Sequence, residues 1–123
     1  MTRAIRLFLL VEAASFVVAG LVHFGVLVRG YEHGLAAPAE STIAVVLLAG
    51  LGLSWVWPAR TRALGLAAQG FALLGTLVGV FTIAVGVGPR TVPDVVYHAV
   101  ILAVLAWGLV VAARSPETLD RRR

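Results

Sequence analysis

Residues 5–28 read IRLFLLVEAASFVVAGLVHFGVLV, an apolar run broken only by Arg6 near its start and by Glu12, Ser15 and His23 within it. The hydrocarbon core of a bilayer is about 30 Å thick, and roughly 20 helical residues at 1.5 Å of rise cross it. Three further stretches of the same character follow at residues 41–57, 63–87 and 92–113. The second is short for a span, so it stands nearly upright or thins the bilayer locally. The spacing predicts an all-α polytopic membrane protein. It has one domain over residues 1–123, a four-helix transmembrane bundle, with a polar, basic tail at 114–123.

Composition supports that reading. Hydrophobic residues make up 60% of the chain and charged residues 13%, and the mean hydropathy is +0.98; an ordinary soluble domain does not look like this. Cysteine is absent, which removes disulfide exchange, thiolate metal sites and thioether-linked haem. The net charge of +4 follows membrane topology and does not indicate nucleic acid. Arg3, Arg6, Arg60, Arg62, Arg114, Arg121, Arg122 and Arg123 fall on one side of the four spans, and Arg29 and Arg90 on the other. The positive-inside rule then puts both termini in the cytoplasm and the chain in the inner (plasma) membrane. A cleaved signal peptide is the rival reading, with Arg3 and Arg6 as its charged region and Ala13-Ala14-Ser15 as small residues. The apolar run continues past Glu12 to Val28, which favours a span.

The connections carry their own signals. Residues 29–39 form the longest loop, with Tyr31, Glu32 and His33, and Pro38 with Glu40 reads as a helix start. Thr91 and Asp94 have the spacing of a capping-box variant at the head of span four. In span three, Gly65, Ala68, Ala72, Gly75, Gly79, Thr82 and Gly86 recur at steps of three and four, a small-residue stripe that admits a neighbouring helix closely. Trp55, Trp57 and Trp107 lie toward the inner interface, and Tyr31 and Tyr97 toward the outer. An offset of 55 matches Leu9 with Leu64, Ala13 with Ala68, Gly20 with Gly75 and Pro38 with Pro93, a suggestion of a duplicated helical hairpin.

Ionisable residues inside a span are costly and turn toward the bundle interior. Glu12 and His23 project from one face of span one, about 16 Å apart along the axis. Counting depth from the span ends pairs Glu12 with Gln69 on span three, and predicts a hydrogen bond between them. The same count puts His23 and His98 about 7 Å below the outer boundary. Asp94 and His98 are i,i+4 neighbours, so the carboxylate is expected to hold that imidazole in one tautomer. Two histidines at matched depth suit axial ligation of haem, or a divalent metal if Glu40 or Glu32 joins. His23, Glu40, Asp94 and His98 thus form a candidate site near the outer leaflet, with Arg29, Arg90 and Tyr97 at its rim. A small amphipathic or anionic molecule, a lipid headgroup or a quinone-like ring is the expected ligand. No nucleotide loop, nucleophile elbow or zinc-protease helix occurs, so whether the chain is an enzyme stays open.

Arg6-Leu7-Phe8-Leu9-Leu10 with Phe16, Gly20 and His23-Phe24 resembles the first helix of DoxX-like four-helix membrane proteins. The resemblance covers about 20 residues and implies an accessory, redox- or quinone-linked role without supplying a catalytic residue. Size, four spans and an embedded Glu12 also make the chain similar to the small multidrug resistance transporters. Their later aromatic and glycine motifs are missing here, as is any counterpart there to His23 and His98. That likeness implies proton-coupled transport through Glu12; the depth count sets Gln69 beside it, and four short helices enclose so little volume that a homo-oligomer is expected. A third expectation is a structural subunit of a larger membrane complex, docked through the stripe on span three.

Overall fold

The computed structural model describes residues 1–116 and is all-helical. Helix α1 runs Thr2–His23, α2 Ala36–Val56, α3 Thr61–Ala84 and α4 Val92–Arg114, with one 3-10 turn, Pro58–Arg60, between α2 and α3. Each of the four is long and apolar enough to cross a membrane. The arginines at 121–123 lie outside the described residues.

Each helix buries one narrow stripe. In α1 it is Ile5, Leu9, Glu12, Ala13, Phe16, Gly20 and His23; in α4 it is Asp94, Ile101, Leu105, Gly108 and Ala112. Steps of three, four and seven keep these side chains on one face of a 3.6-residue helix. The remaining faces stay apolar but bare: Leu7, Leu10, Val18, Leu74, Phe81 and Trp107 are all more than half exposed. A bundle in water would hide such residues; a lipid-facing surface presents them. Helix α1 packs against all three others, most extensively against α2.

The small residues of α3 are used within the chain. A Cβ added at Gly65 would lie 2.5 Å from Ile5 Cγ2 of α1, and one at Gly75 would lie 2.9 Å from Ile43 Cδ1 of α2. Ala68 and Ala72 are buried in the core. This corrects the stripe's role as an outward docking face: its glycines are where neighbouring helices of the same chain come closest.

Helix ends depart from the hydropathy reading. Helix α1 stops at His23, five residues before the apolar run does. Gly25, at φ 73°, lets its own N–H reach Val22 O and the Val26 N–H reach Leu21 O, both at 2.9 Å, the Schellman ending that glycine permits. Gly86, at φ 87°, ends α3 the same way, with Gly86 N–H on Ile83 O and Val87 N–H on Thr82 O. Helix α2 begins at Ala36 rather than 41, which places Glu40 inside the helix and buries it. At the opposite end of the bundle the Arg6 guanidinium donates to Ser54 Oγ (3.1 Å) and Ser54 O (2.5 Å) and lies 4.0 Å over the Trp55 ring.

Candidate functional site

Three helices each bring one ionisable side chain to a common point. His23, the last residue of α1, is 5% exposed; Glu40 of α2 is 5% and Asp94 of α4 is 7%. His23 Nδ1 lies 2.7 Å from Glu40 Oε2, and His23 Nε2 lies 3.0 Å from Asp94 Oδ1. The imidazole is therefore a bridge between two carboxyl groups. A neutral ring carries one N–H. Two hydrogen bonds then require two protons among the three groups: both on the ring, or one on the ring and one on a carboxyl. Asp94 is held a second time by the capping box of α4: its Oδ2 accepts the Thr91 N–H at 3.1 Å and the Thr91 hydroxyl, while Thr91 Oγ1 accepts the Asp94 N–H. The capping role read from Thr91 and Asp94 is present, together with the bridge to His23.

The expected Asp94–His98 side-chain pair does not form. His98 Nδ1 lies 2.7 Å from the Asp94 main-chain oxygen, one helical turn back. A carbonyl can only accept, so Nδ1 is the donor. The axial-ligand reading of His23 and His98 fails on the same geometry. Both nitrogens of His23 face carboxylates, which leaves no lone pair for an iron or a divalent ion. Among the described residues no group of three His, Cys, Asp or Glu side chains could hold a metal ion.

Two cavities flank the bridge. One, of about 130 Å³, lies between α2, α3 and α4, where Glu40, Phe16, Ile43, Thr76, Gly79 and His98 contribute to its wall. The other is a groove of about 610 Å³ between α1 and α4, walled by Ser15, Ala19, His23, Tyr31, Asp94 and Tyr97. Glu40 thus borders the first and His23 and Asp94 the second. Glu40 Oε1 is buried and has no hydrogen-bond partner among the described residues. Tyr97 stands edge-on to Phe16, with centroids 6.0 Å apart, and edge-on to His98, at 5.6 Å; its hydroxyl is 3.5 Å from Ser15 Oγ. The expected basic rim is not assembled. Arg29 is exposed and lines neither cavity, whereas Arg90 Nε donates to Ile83 O at 3.2 Å and so closes the end of α3.

His33, read from sequence as a loop residue, is a clasp. Its N–H donates to His23 O at 2.9 Å, its Nδ1 accepts the Ala36 N–H at the head of α2, and its Nε2 donates to Val87 O at 3.2 Å. Its position three residues before Ala36 was the available signal, the offset at which a side chain can serve a helix start.

The Glu12–Gln69 hydrogen bond is present, Gln69 Nε2 donating to Glu12 Oε1 at 3.2 Å, with both residues 0% exposed. Gly108 of α4 makes room for the pair: a Cβ there would lie 2.5 Å from Gln69 Nε2 and 2.6 Å from Glu12 Oε1. Among the described residues Glu12 Oε2 and Gln69 Oε1 have no hydrogen-bond partner, and neither residue lines the two cavities. Comparison with known proteins finds no matching family model, curated sequence or solved structure, so the site's chemistry has to be read from its own geometry.

Proposed function

We propose that this chain is a multi-pass protein of the inner (plasma) membrane that binds a small amphipathic molecule beside the His23–Glu40–Asp94 bridge, at the end of the bundle carrying the longer loop. The single observation that carries this reading is that Glu40 lines a cavity while its Oε1 is buried and unpartnered among the described residues. Leaving a buried acceptor unsatisfied costs about 1–3 kcal/mol, and a bound molecule that donates to it removes that cost. The arginines support the orientation: Arg3, Arg6, Arg60, Arg62 and Arg114 belong to the end with the termini, so the bridge faces outward and both termini face the cytoplasm.

Proton-coupled transport through Glu12 has less to support it, because Glu12 is packed between Gln69 and Gly108 and lines neither of the two cavities. The test is thermal unfolding of the purified protein in nanodiscs against a panel of small amphipathic molecules. Ala39→Phe serves as control, since residue 39 lines the cavity without joining the bridge. A ligand at about 100 times its Kd adds about 2.7 kcal/mol of stability, a readily measured rise in Tm. The reading predicts compounds that stabilise the wild type and not Ala39→Phe. A panel that shifts both proteins alike sinks it.

A further inference from the structure

We infer that the cavity between α2, α3 and α4 takes a small lipophilic amine, bound as its ammonium with an N–H donated to Glu40 Oε1. This rests on the ligand-binding reading above and names its chemistry.

The case comes from counting donors and acceptors around the wall. Glu40 offers Oε1, an acceptor with no partner. His98 gives its Nδ1 hydrogen to Asp94 O, so in the neutral ring Nε2 carries a lone pair, and this atom lies 3.1 Å from where a Cβ of Gly79 would be, beside the cavity. Thr76 and Thr82 both give their hydroxyl hydrogens away, to Ala72 O at 2.7 Å and Gly79 O at 2.7 Å, and keep only oxygen lone pairs. His33 has both nitrogens committed, one as acceptor from Ala36 and one as donor to Val87. Every polar side chain on this wall that is not already satisfied is an acceptor. The rest of the wall is Phe16, Ile43, Leu35, Val78 and Val87 with small residues between them.

Such a cavity selects against its like. A quinone or a carboxylate brings acceptors and meets no donor, and a carboxylate adds charge repulsion from Glu40. An ammonium brings three donors and a charge opposite to the carboxylate. An apolar tail then covers the hydrophobic wall. Volume sets the size: about 130 Å³ is close to that of an engineered cavity that accepts benzene, which limits the ligand to roughly a four- to six-carbon body.

The probes are n-butylammonium and butanone, matched in heavy-atom count and opposite in hydrogen-bonding sense. Binding is followed by saturation-transfer NMR on the full chain in nanodiscs, with Ala39→Phe correcting for partition into lipid. The wild type is expected to bind butylammonium and not butanone. Glu40→Gln keeps an oxygen for His23 and puts an amide NH₂ in place of Oε1. It is expected to weaken butylammonium by about tenfold or more, the worth of one charge-assisted hydrogen bond, and to bind butanone in its place. That inversion is one a merely structural role for Glu40 would not produce. If butylammonium and butanone bind wild type equally and Glu40→Gln changes neither, the amine assignment is overturned while the cavity reading stands. If neither probe binds beyond the Ala39→Phe level, the amine assignment falls as well.

Discussion

Replacing His23 with leucine should cost more stability than replacing His23 and Glu40 together. Among the described residues His23 is the only hydrogen-bond partner of the Glu40 carboxylate, at 2.7 Å, and the side chains of His23, Glu40 and Asp94 are 4%, 7% and 9% exposed. His23→Leu strips Glu40 of that bond and leaves two carboxyl groups in a dry layer without the ring between them. Removing one partner from a buried charged pair costs about 3–5 kcal/mol, whereas replacing the pair by apolar groups of similar size is often close to neutral. Asp94 keeps its Thr91 contacts in either variant, so the difference reports on Glu40. His23→Leu is expected to lose about 3–5 kcal/mol. His23→Leu/Glu40→Leu should recover to within about 1–2 kcal/mol of wild type. The assay is reversible unfolding in mixed detergent–SDS micelles, read as the shift in midpoint at constant slope. A single variant within about 1 kcal/mol of wild type, or a double variant no better than the single, would refute the reasoning. If the recovery is found, the polar bridge is not what holds the bundle together, as its proposed binding role expects.

The Glu12–Gln69 layer, about three helical turns from His23, makes opposite predictions for its two members. Glu12→Gln supplies an NH₂ to the unpartnered Gln69 Oε1 and is expected to be neutral or stabilising, while Gln69→Leu strands the Glu12 carboxyl and should cost about 1–3 kcal/mol; equal effects in the same unfolding assay would contradict this. Gly108→Ala forces a Cβ onto that pair and should lose about 1–3 kcal/mol through overpacking, whereas Gly52→Ala, where nothing lies within 4 Å, should be within about 0.5 kcal/mol of wild type. Gly25→Ala must hold a side chain at φ 73° and press it against Glu32 Cγ at 2.8 Å. A loss of about 1–2 kcal/mol follows, together with faster amide exchange at the Val26 N–H; unaltered exchange there would remove the Schellman ending from the account.

Much of this architecture is visible in the residues themselves. Hydropathy finds four helices because membrane-spanning length is a one-dimensional property, and counting rise along them pairs Glu12 with Gln69 correctly. Thr91 and Asp94 are equally local, three residues apart at a helix head. Hydropathy cannot find the end of α1, since Val26, Leu27 and Val28 are as apolar as the helix before them; only the conformational freedom of Gly25 decides it. Nor could helical phase choose Asp94's partner. Asp94 and His98 do share a face, but the nearer acceptor for the His98 ring is the backbone oxygen of the same aspartate, a side-chain-to-backbone contact open to any residue one turn on. His23 then receives the carboxylate across the bundle, a contact that depends on how three helices are rotated. Glu40 reads from sequence as a helix start beside the candidate histidines; the earlier start of α2, at Ala36, sets it inside the helix and turns it inward.

The buried groups of α1 also set an order of events during synthesis. Glu12 precedes its partner Gln69 by 57 residues, and His23 precedes Glu40 by 17 and Asp94 by 71. At about 5–20 residues per second, Glu12 waits roughly 3–11 s for Gln69 to be made. Inserted as proposed, α1 must therefore enter the bilayer carrying a carboxyl group and an imidazole with nothing yet to satisfy them. A single carboxylate at a helix centre weakens insertion by about 2.5–3.5 kcal/mol. Helix α1, which packs against the other three, is thus weakened as an independent insert by its own buried groups, and the later helices are what satisfy them.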